Sequence, residues 1–511
     1  MRPIIACLFV CVLLSSCAGR QPQVRSEEGD IGQSGSPDAG APKLETSEED
    51  EESAPVTEEE IATVRRGVLD SVISSYNSGN PEQFVKDFNA QMNAALPVEK
   101  LKPFIDELRT TFGKIVSIED PISPQKDVYI YPAEFEKAPM IITIAYDDKN
   151  KVAGLFFKPG GPHVEYPEIT QDTTLESIAK PYIDVPETAG LVIGIYRNGK
   201  TEVHGFGVVD KNTNTKPDDK TLFEIGSITK TFTTALLLDL VNRKIVSMND
   251  PVKAHLPNTV KMPSNDSKEI TLFNLATHSS SLPRLPSNFP QTVKDPKNPY
   301  QHYTIKHSFE FLSSFEIEEE IGSKSSYSNF GMGLLGYILA SKTSQTYEEL
   351  LKKRLLKKIG MRDTTITLSK KQASRLAAGY DMKGEPAPPW DLTDAFAGAG
   401  AIRSTARDML KFLTEAMCHK KGKLKEIFEE ATTPTMPSPL GKIGLAWMIS
   451  PLDKQKSHEV VWHNGGTGGY RSYLGFVKEA NVGVVVLSNS QLEVDTLGSL
   501  VLKYLLLSEQ Q

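Results

Sequence analysis

FEIGSITKTFTTALLLDLVNRK, residues 223–244, decides how the rest of the chain is read. Gly226 allows a tight turn and the close approach of another backbone. Behind it, the apolar run after Thr229 is long enough for a buried helix. Ser227 and Lys230 are three residues apart, so on the first turn of that helix they share one face. A serine hydroxyl is scarcely ionised near neutral pH and needs a base in reach and donors for the oxyanion that forms. Lysine serves as that base only where burial or neighbouring cations disfavour its charge. The start of a helix adds free backbone N–H groups beside the hydroxyl. The same Ser-x-x-Lys spacing recurs at Ser123–Lys126 and Ser177–Lys180. The first encloses Pro124, and the second has no glycine before it. Only Ser227 joins a glycine turn to a long apolar helix, so it is the expected nucleophile.

Outward from this segment, the chain predicts strands on both flanks. GLVIGIY (190–196) and EVHGFGVVD (202–210) meet around Asn198-Gly199, a strong hairpin signal. Near the other end, HEVVWH (458–463), GYRSYLGFV (469–477) and VGVVVLSNS (482–490) read as three more strands, with a last helix over about 494–507. Between the two groups, about 252–440 is mostly helical in pattern. One antiparallel sheet built from both ends of this region, with a helical insertion over its face, is the economical arrangement.

Four further segments carry a resemblance: YSNFGMGLLGYIL (327–339), WHNGGTGGYRSYLGF (462–476), LATHSSSLPR (275–284) and GAGAIRSTARDMLKFL (398–413). With FEIGSITKTFT they resemble, in order, the motifs of the serine β-lactamase and penicillin-binding-protein superfamily, in its class C and DD-peptidase branch. Ser281 stands where glycine is common in that family. The resemblance covers roughly residues 170–505 and implies an α+β, β-lactamase/transpeptidase-like fold, an antiparallel sheet flanked by helices plus a helical subdomain. It implies that Ser227 is acylated, that Lys230 takes or relays its proton, and that Tyr327 acts as general base with a pKa lowered by that cation. Asn329 then hydrogen-bonds the substrate amide, and His463, where relatives often carry lysine, binds a substrate carboxylate when protonated. Gly465 and Gly466 let strand and ligand approach, with the N–H groups of Ser227 and Gly466 as the oxyanion hole. The expected activity is hydrolysis of D-amino-acid amide bonds in peptidoglycan peptides, of β-lactams, or of both. The alternatives are a β-lactamase-like esterase and a non-catalytic cell-wall-binding lipoprotein.

Other classes of function find no support. A net charge of −8 and the lack of a basic stripe with interleaved aromatics argue against nucleic acid. The nine histidines show no metal-ligand spacing, and GGTGG lacks the lysine of a phosphate loop, so neither metal nor cofactor is expected.

The N-terminal third reads differently. Met1-Arg2, an apolar run Ile4–Leu14 and then LSSC form a short export signal that resembles a bacterial lipobox, with Cys17 as the lipidated residue. Export and a lipid anchor in the cell envelope, on the outer membrane facing the periplasm, are expected. Residues 18–56 are Glu-, Ser-, Gly- and Pro-rich with the run EEDEES, an expected disordered tether reaching about 35 Å. Loss of Cys7 and Cys11 with the signal, and lipid on Cys17, leave Cys418 without a disulfide partner, a packing residue in DMLKFLTEAMCHK. From 57 to 160, a capping box at Thr57–Glu60, three helical patterns and the strands DVYIYPAEFE, MIITIAYDD and VAGLFFKP describe a small α+β domain. It resembles the NTF2-like, DUF3887-type modules. KPGGPHVEYPEI then separates it from the catalytic domain, expected over 170–508.

Overall fold

The computed structural model describes residues 58–507, apart from 120, 126, 163, 266–267, 318, 418–422, 440 and 454–457. The signal, Cys17, the acidic tether, the Thr57 cap and Cys418 lie outside the described residues. The chain divides into two compact units, Met1–Gly160 and Gly161–Gln511.

In the first unit, the helices Glu58–Ser78 and Val98–Phe112 accompany a five-stranded antiparallel sheet. The strands Val128–Phe135, Pro139–Tyr146 and Val152–Pro159 are joined by tight turns, with Asn150 at φ 57°. Leu69, Val72 and Tyr76 of the long helix are buried in one cluster with Tyr131, Phe135, Ile142 and Ile144 of the sheet. Arg65 is also buried, but its guanidinium is met by Asp127 at 2.5 Å, Asn150 at 2.8 Å and the Tyr129 hydroxyl at 3.1 Å. Pairing of this kind is what a buried cation requires.

In the second unit, an eight-stranded antiparallel sheet joins the two ends of the region. Val482–Ser488 pairs with Gly190–Arg197, Val482 facing Arg197 and Ser488 facing Leu191. The hairpin turn has Asn198 at φ 48° and Gly199 at φ 86°, the two left-handed residues a tight hairpin needs. Beyond Glu459–Gly466 the sheet continues through Met448–Pro451, Gly441–Ile443 and Met436–Ser438. These short strands fall partly in the stretch expected to be helical. At three or four residues each, they are too short for alternation to show.

Period two sorts the sheet's side chains between two cores. Leu191, Ile193, Ile195, Val482, Val484 and Val486 pack in one cluster with residues of the helices Leu175–Ile183 and Asp495–Leu507. Val192, Tyr196, Val485 and Leu487 pack in the other, with the helix Ala406–Ala416 and the nucleophile helix Thr229–Asn242. Small residues let that side close up. A side chain on Gly194 would meet Leu410 at 3.1 Å, and one on Gly483 would meet Leu413 at 2.8 Å. The nucleophile helix is buried all round, from Thr229 to Leu240. It therefore holds its first turn rigidly.

Candidate active site

Ser227 lies in a single 3-10 turn, Gly226–Ile228, which links the short strand Leu222–Glu224 to the nucleophile helix. Gly226 sits at φ 49°, a conformation costly for any residue with a side chain. A Cβ there would also lie 2.6 Å from the Gly466 nitrogen and 2.9 Å from its carbonyl oxygen. The nucleophile turn and the end of the strand Glu459–Gly466 thus run in direct backbone contact. Gly465 makes room for the protein itself, since a side chain on it would strike the Ile225 carbonyl and Ser472. A side chain on Gly466 would strike Arg471. Gly466 still lines the cleft at Ser227, whereas Gly465 packs against Ile225 and does not. That corrects the expectation of a substrate contact at Gly465.

Ser227 remains partly exposed, whereas Lys230 is fully buried. The Lys230 Nζ lies 2.9 Å from Ser227 Oγ and 2.7 Å from the Ala399 carbonyl oxygen. Burial, helped by the positive charge of Arg284, holds its pKa well below the ordinary lysine value. The neutral amine is therefore favoured, and its lone pair can accept the serine proton. Ala399 is brought up by a short helix, Ala397–Gly400, packed so closely that Gly336 and Gly398 leave no space for side chains between them. The other two Ser-x-x-Lys pairs have no such setting. Lys180 is exposed and bound to Asp184 at 2.5 Å, Ser177 closes a capping box with Thr174, and Lys126 lies outside the described residues.

Tyr327 stands beside Ser227, whose hydroxyl acts to lower its pKa. Its ring lies 4.9 Å from Lys230 Nζ and 5.0 Å from the Arg284 guanidinium carbon. The expected lowering of its pKa is not found. Burial pushes the phenol up to about 12, against the pull of Ser227 and Arg284. The reason is that Lys230 itself is driven towards neutrality and brings little charge to stabilise a phenolate. Tyr327 is thus protonated in the free protein and has a proton to give.

Two loops are stitched together to set this tyrosine. The Ser326 and Ser328 N–H groups donate to the His278 carbonyl oxygen at 2.7 Å and to its Nδ1 at 3.2 Å. Ser328 Oγ donates to the Pro283 carbonyl at 2.7 Å, and the Asn329 N–H to that of Arg284 at 3.1 Å. The His278 ring packs 4.6 Å from that of Tyr327, and burial together with Lys230 holds its pKa well below the usual histidine range. His278 and Ser281 both take φ 58°. That conformation explains why glycine suits position 281.

Asn329 opens the helix Asn329–Lys342, capped by Ser328. It stands beside Tyr300, whose pKa it acts to lower, and its buried Oδ1 finds no partner among the described residues. An unmet acceptor of this kind is costly, and here it lies in the wall of the cleft with Ser227. His463 is 1% exposed, with Nδ1 held 2.6 Å from the Asn464 carbonyl. Burial and the neighbouring Lys230 lower its pKa to about 3. The expected protonated His463 is therefore corrected, since it is neutral through the physiological range. Asn464 turns the other way, to Asp495 at 2.5 Å.

Several functional neighbours were not read from the sequence. Tyr300 and Trp390, ring centroids 5.1 Å apart, form an aromatic wall of the cleft. Both lie in irregular segments that no periodicity marks. Glu224, three residues before the nucleophile, forms a buried pair with Arg403 at 2.9 Å and accepts the Trp390 N–H at 3.0 Å. Both ends of this pair stand in quoted segments, yet sequence alone does not show them facing. Among the described residues no group of three or more His, Cys, Asp or Glu residues is placed to hold a metal ion. No helix among them is long and apolar enough to cross a membrane.

Comparison with known proteins gives a consistent result. The family model described as beta-lactamase matches residues 175–501, well over half of the chain, and the DUF3887 model matches 70–155. The chain is 26% identical over 312 residues to the D-alanyl-D-alanine-carboxypeptidase/endopeptidase AmpH of Escherichia coli K12, covering 58% of this chain and 78% of that protein. It is 28% identical over 353 residues to a beta-lactamase of Pseudomonas fluorescens, covering 62% and 92%. In fold it is similar to the crystal structure of a class C beta-lactamase from Rhodobacter sphaeroides, at a TM-score of 0.57 and 23% identity over 66% of this chain and 99% of that one. A beta-lactamase/D-alanine carboxypeptidase from Yersinia pestis superposes equally well, at 0.57 and 24% identity over 67% and 100%.

Proposed function

The chain belongs to the beta-lactamase family and is a serine hydrolase; from that premise we propose that it cleaves D-amino-acid amide bonds of peptidoglycan peptides and β-lactams through an acyl-enzyme on Ser227. The observation that carries this reading is the contact of one partly exposed hydroxyl with both a buried, neutral-leaning amine at 2.9 Å and a phenol. Lys230 accepts the Ser227 proton as Oγ attacks the carbonyl carbon. The Ser227 and Gly466 N–H groups take the oxyanion, a role supported by the closeness of Gly466 to the nucleophile turn. As the carbon–nitrogen bond breaks, Tyr327, protonated in the free protein, donates its proton to the departing amine, and the proton held by Lys230, whose Nζ lies 4.9 Å from the centre of the Tyr327 ring, then passes to the phenolate. Water attacking the ester then reverses the relay and frees Ser227. The unmet Asn329 Oδ1 accepts the N–H of the substrate's acyl-side amide.

Relatives named for D-alanine carboxypeptidase and for beta-lactamase activity support this substrate class. Export, with a lipid on Cys17 anchoring the chain to the outer membrane and the acidic stretch 18–56 as tether, would bring the site to the cell wall. That placement is part of the proposal and rests on the LSSC sequence. The test is release of D-alanine from a pentapeptide ending in D-Ala-D-Ala by the full-length protein, with Ser227→Ala as control. Release that Ser227→Ala abolishes supports the proposal. No release, alongside rapid Ser227-dependent cleavage of short p-nitrophenyl esters, replaces it with the esterase reading.

A further inference from the structure

The substrates proposed above share one feature beyond the scissile amide. In a peptide ending in D-alanine and in a penicillin alike, the carbon bonded to the departing nitrogen carries a free carboxylate. An enzyme selective for them needs a positive charge beside the group that protonates that nitrogen. His463, expected to supply it, is buried and neutral. Lys230 is buried and bonded to Ser227 and Ala399. Arg403 is paired with Glu224, and Arg471 donates to the Gln491 carbonyl.

One cation is left. Arg284 is exposed, and among the described residues no carboxylate lies within 4 Å of it. Its guanidinium carbon lies 5.0 Å from the centre of the Tyr327 ring, and its charge is felt by Lys230, Tyr327, His278 and Tyr300. Its backbone is fixed as well, because its carbonyl accepts the N–H groups of Asn329 at 3.1 Å and Phe330 at 3.2 Å. We propose that Arg284 binds the carboxylate carried by the leaving group and so sets the preference for free-acid substrates. This rests on the reading of the site as an amide hydrolase of that substrate class. The carbon bearing the carboxylate is directly attached to the nitrogen that Tyr327 protonates, which brings the carboxylate close to Tyr327 and within reach of the guanidinium over that ring. A planar guanidinium suits a carboxylate by paired hydrogen bonds, and stacking on Tyr327 holds it ready.

The test compares acylation of full-length protein by benzylpenicillin and by its methyl ester, which differ only in that charge. The parent reacts faster with the acid. In Arg284→Gln the acid-to-ester ratio of second-order rate constants falls on the order of 10- to 100-fold, the worth of a charge-assisted contact. Arg284→Lys recovers a large part of it. Because the ratio is taken within one variant, partial unfolding does not move it. A ratio in Arg284→Gln within twofold of the parent's overturns the role of Arg284 while leaving the acyl-enzyme intact. A parent that neither compound acylates removes the proposed function itself, and this inference with it.

Discussion

Replacing Gly226 by alanine tests the backbone contact on which the site is built. The left-handed conformation at this position, φ 49°, costs a residue with a side chain roughly 1–2 kcal/mol. The added methyl would also stand 2.6 Å from the Gly466 nitrogen. Reaching an ordinary contact of ~3.4 Å means moving turn and strand apart by roughly 0.8 Å, and overpacking of this order costs about 1–3 kcal/mol. A loss of about 2–5 kcal/mol lowers the melting temperature by roughly 3–7 °C in a unit of this size. The functional loss should be far larger, since misplacing reacting groups by ~1 Å costs on the order of 100-fold in rate. The assay is labelling of Ser227 by a fluorescent penicillin over time, beside a thermal melt. Gly199→Ala is the control, because Gly199 has the same kind of backbone, φ 86°, with nothing within 4 Å of an added Cβ. It should lose ~1 kcal/mol and keep its labelling rate. Labelling of Gly226→Ala within threefold of the parent refutes the argument.

Three more outcomes follow from the protonation states. Lys230→Met should lose at least 1000-fold in acylation yet melt no lower than the parent at pH 7. The sign is set by linkage. The folded pKa lies well below the unfolded value of 10.5, so between the two the unfolded chain binds the extra proton, and the amine costs stability that returns as pH rises towards 10.5. A melt more than ~2 kcal/mol weaker would contradict it. Tyr327→Phe should slow amide cleavage on the order of 100-fold or more but p-nitrophenyl ester cleavage much less, because p-nitrophenolate leaves without a proton. Equal losses on both would count against the donor role. Binding of carboxylated substrates should not vary with the charge of His463 from pH 5 to 8, since its pKa of about 3 keeps it neutral throughout. A rise in KM tracking a titration near pH 6.5 would restore the charged histidine.

What the sequence made legible was local. Ser227 and Lys230 share a face because a helical turn puts them there, and Asn198-Gly199 turns the hairpin because its residues tolerate left-handed backbone. Period-two runs such as VGVVVLS sorted between two cores without reference to anything distant. The parts that were not legible depend on distant segments meeting. No spacing rule brings the Ala399 carbonyl to Lys230, 169 residues later, or Glu224 to Arg403, 179 residues later. The direction of the Tyr327 shift was misread for the same reason, because burial of Lys230 and of the phenol is a property of the assembled core. His463 was expected as a charged ligand because it stands where relatives often carry lysine, whereas the fold encloses it. Arg284 stood unremarked in LATHSSSLPR, since its place over Tyr327 follows from two left-handed residues, His278 and Ser281, in the loop before it.

Intact-mass spectrometry of the full-length protein after exposure to benzylpenicillin, with peptide mapping of any adduct, bears most directly on the central claim. A mass increase equal to one whole penicillin, on the peptide containing Ser227 and absent from Ser227→Ala, is the predicted result. An unmodified, folded chain that also leaves the penicillin unhydrolysed, or an adduct on any other residue, would contradict it.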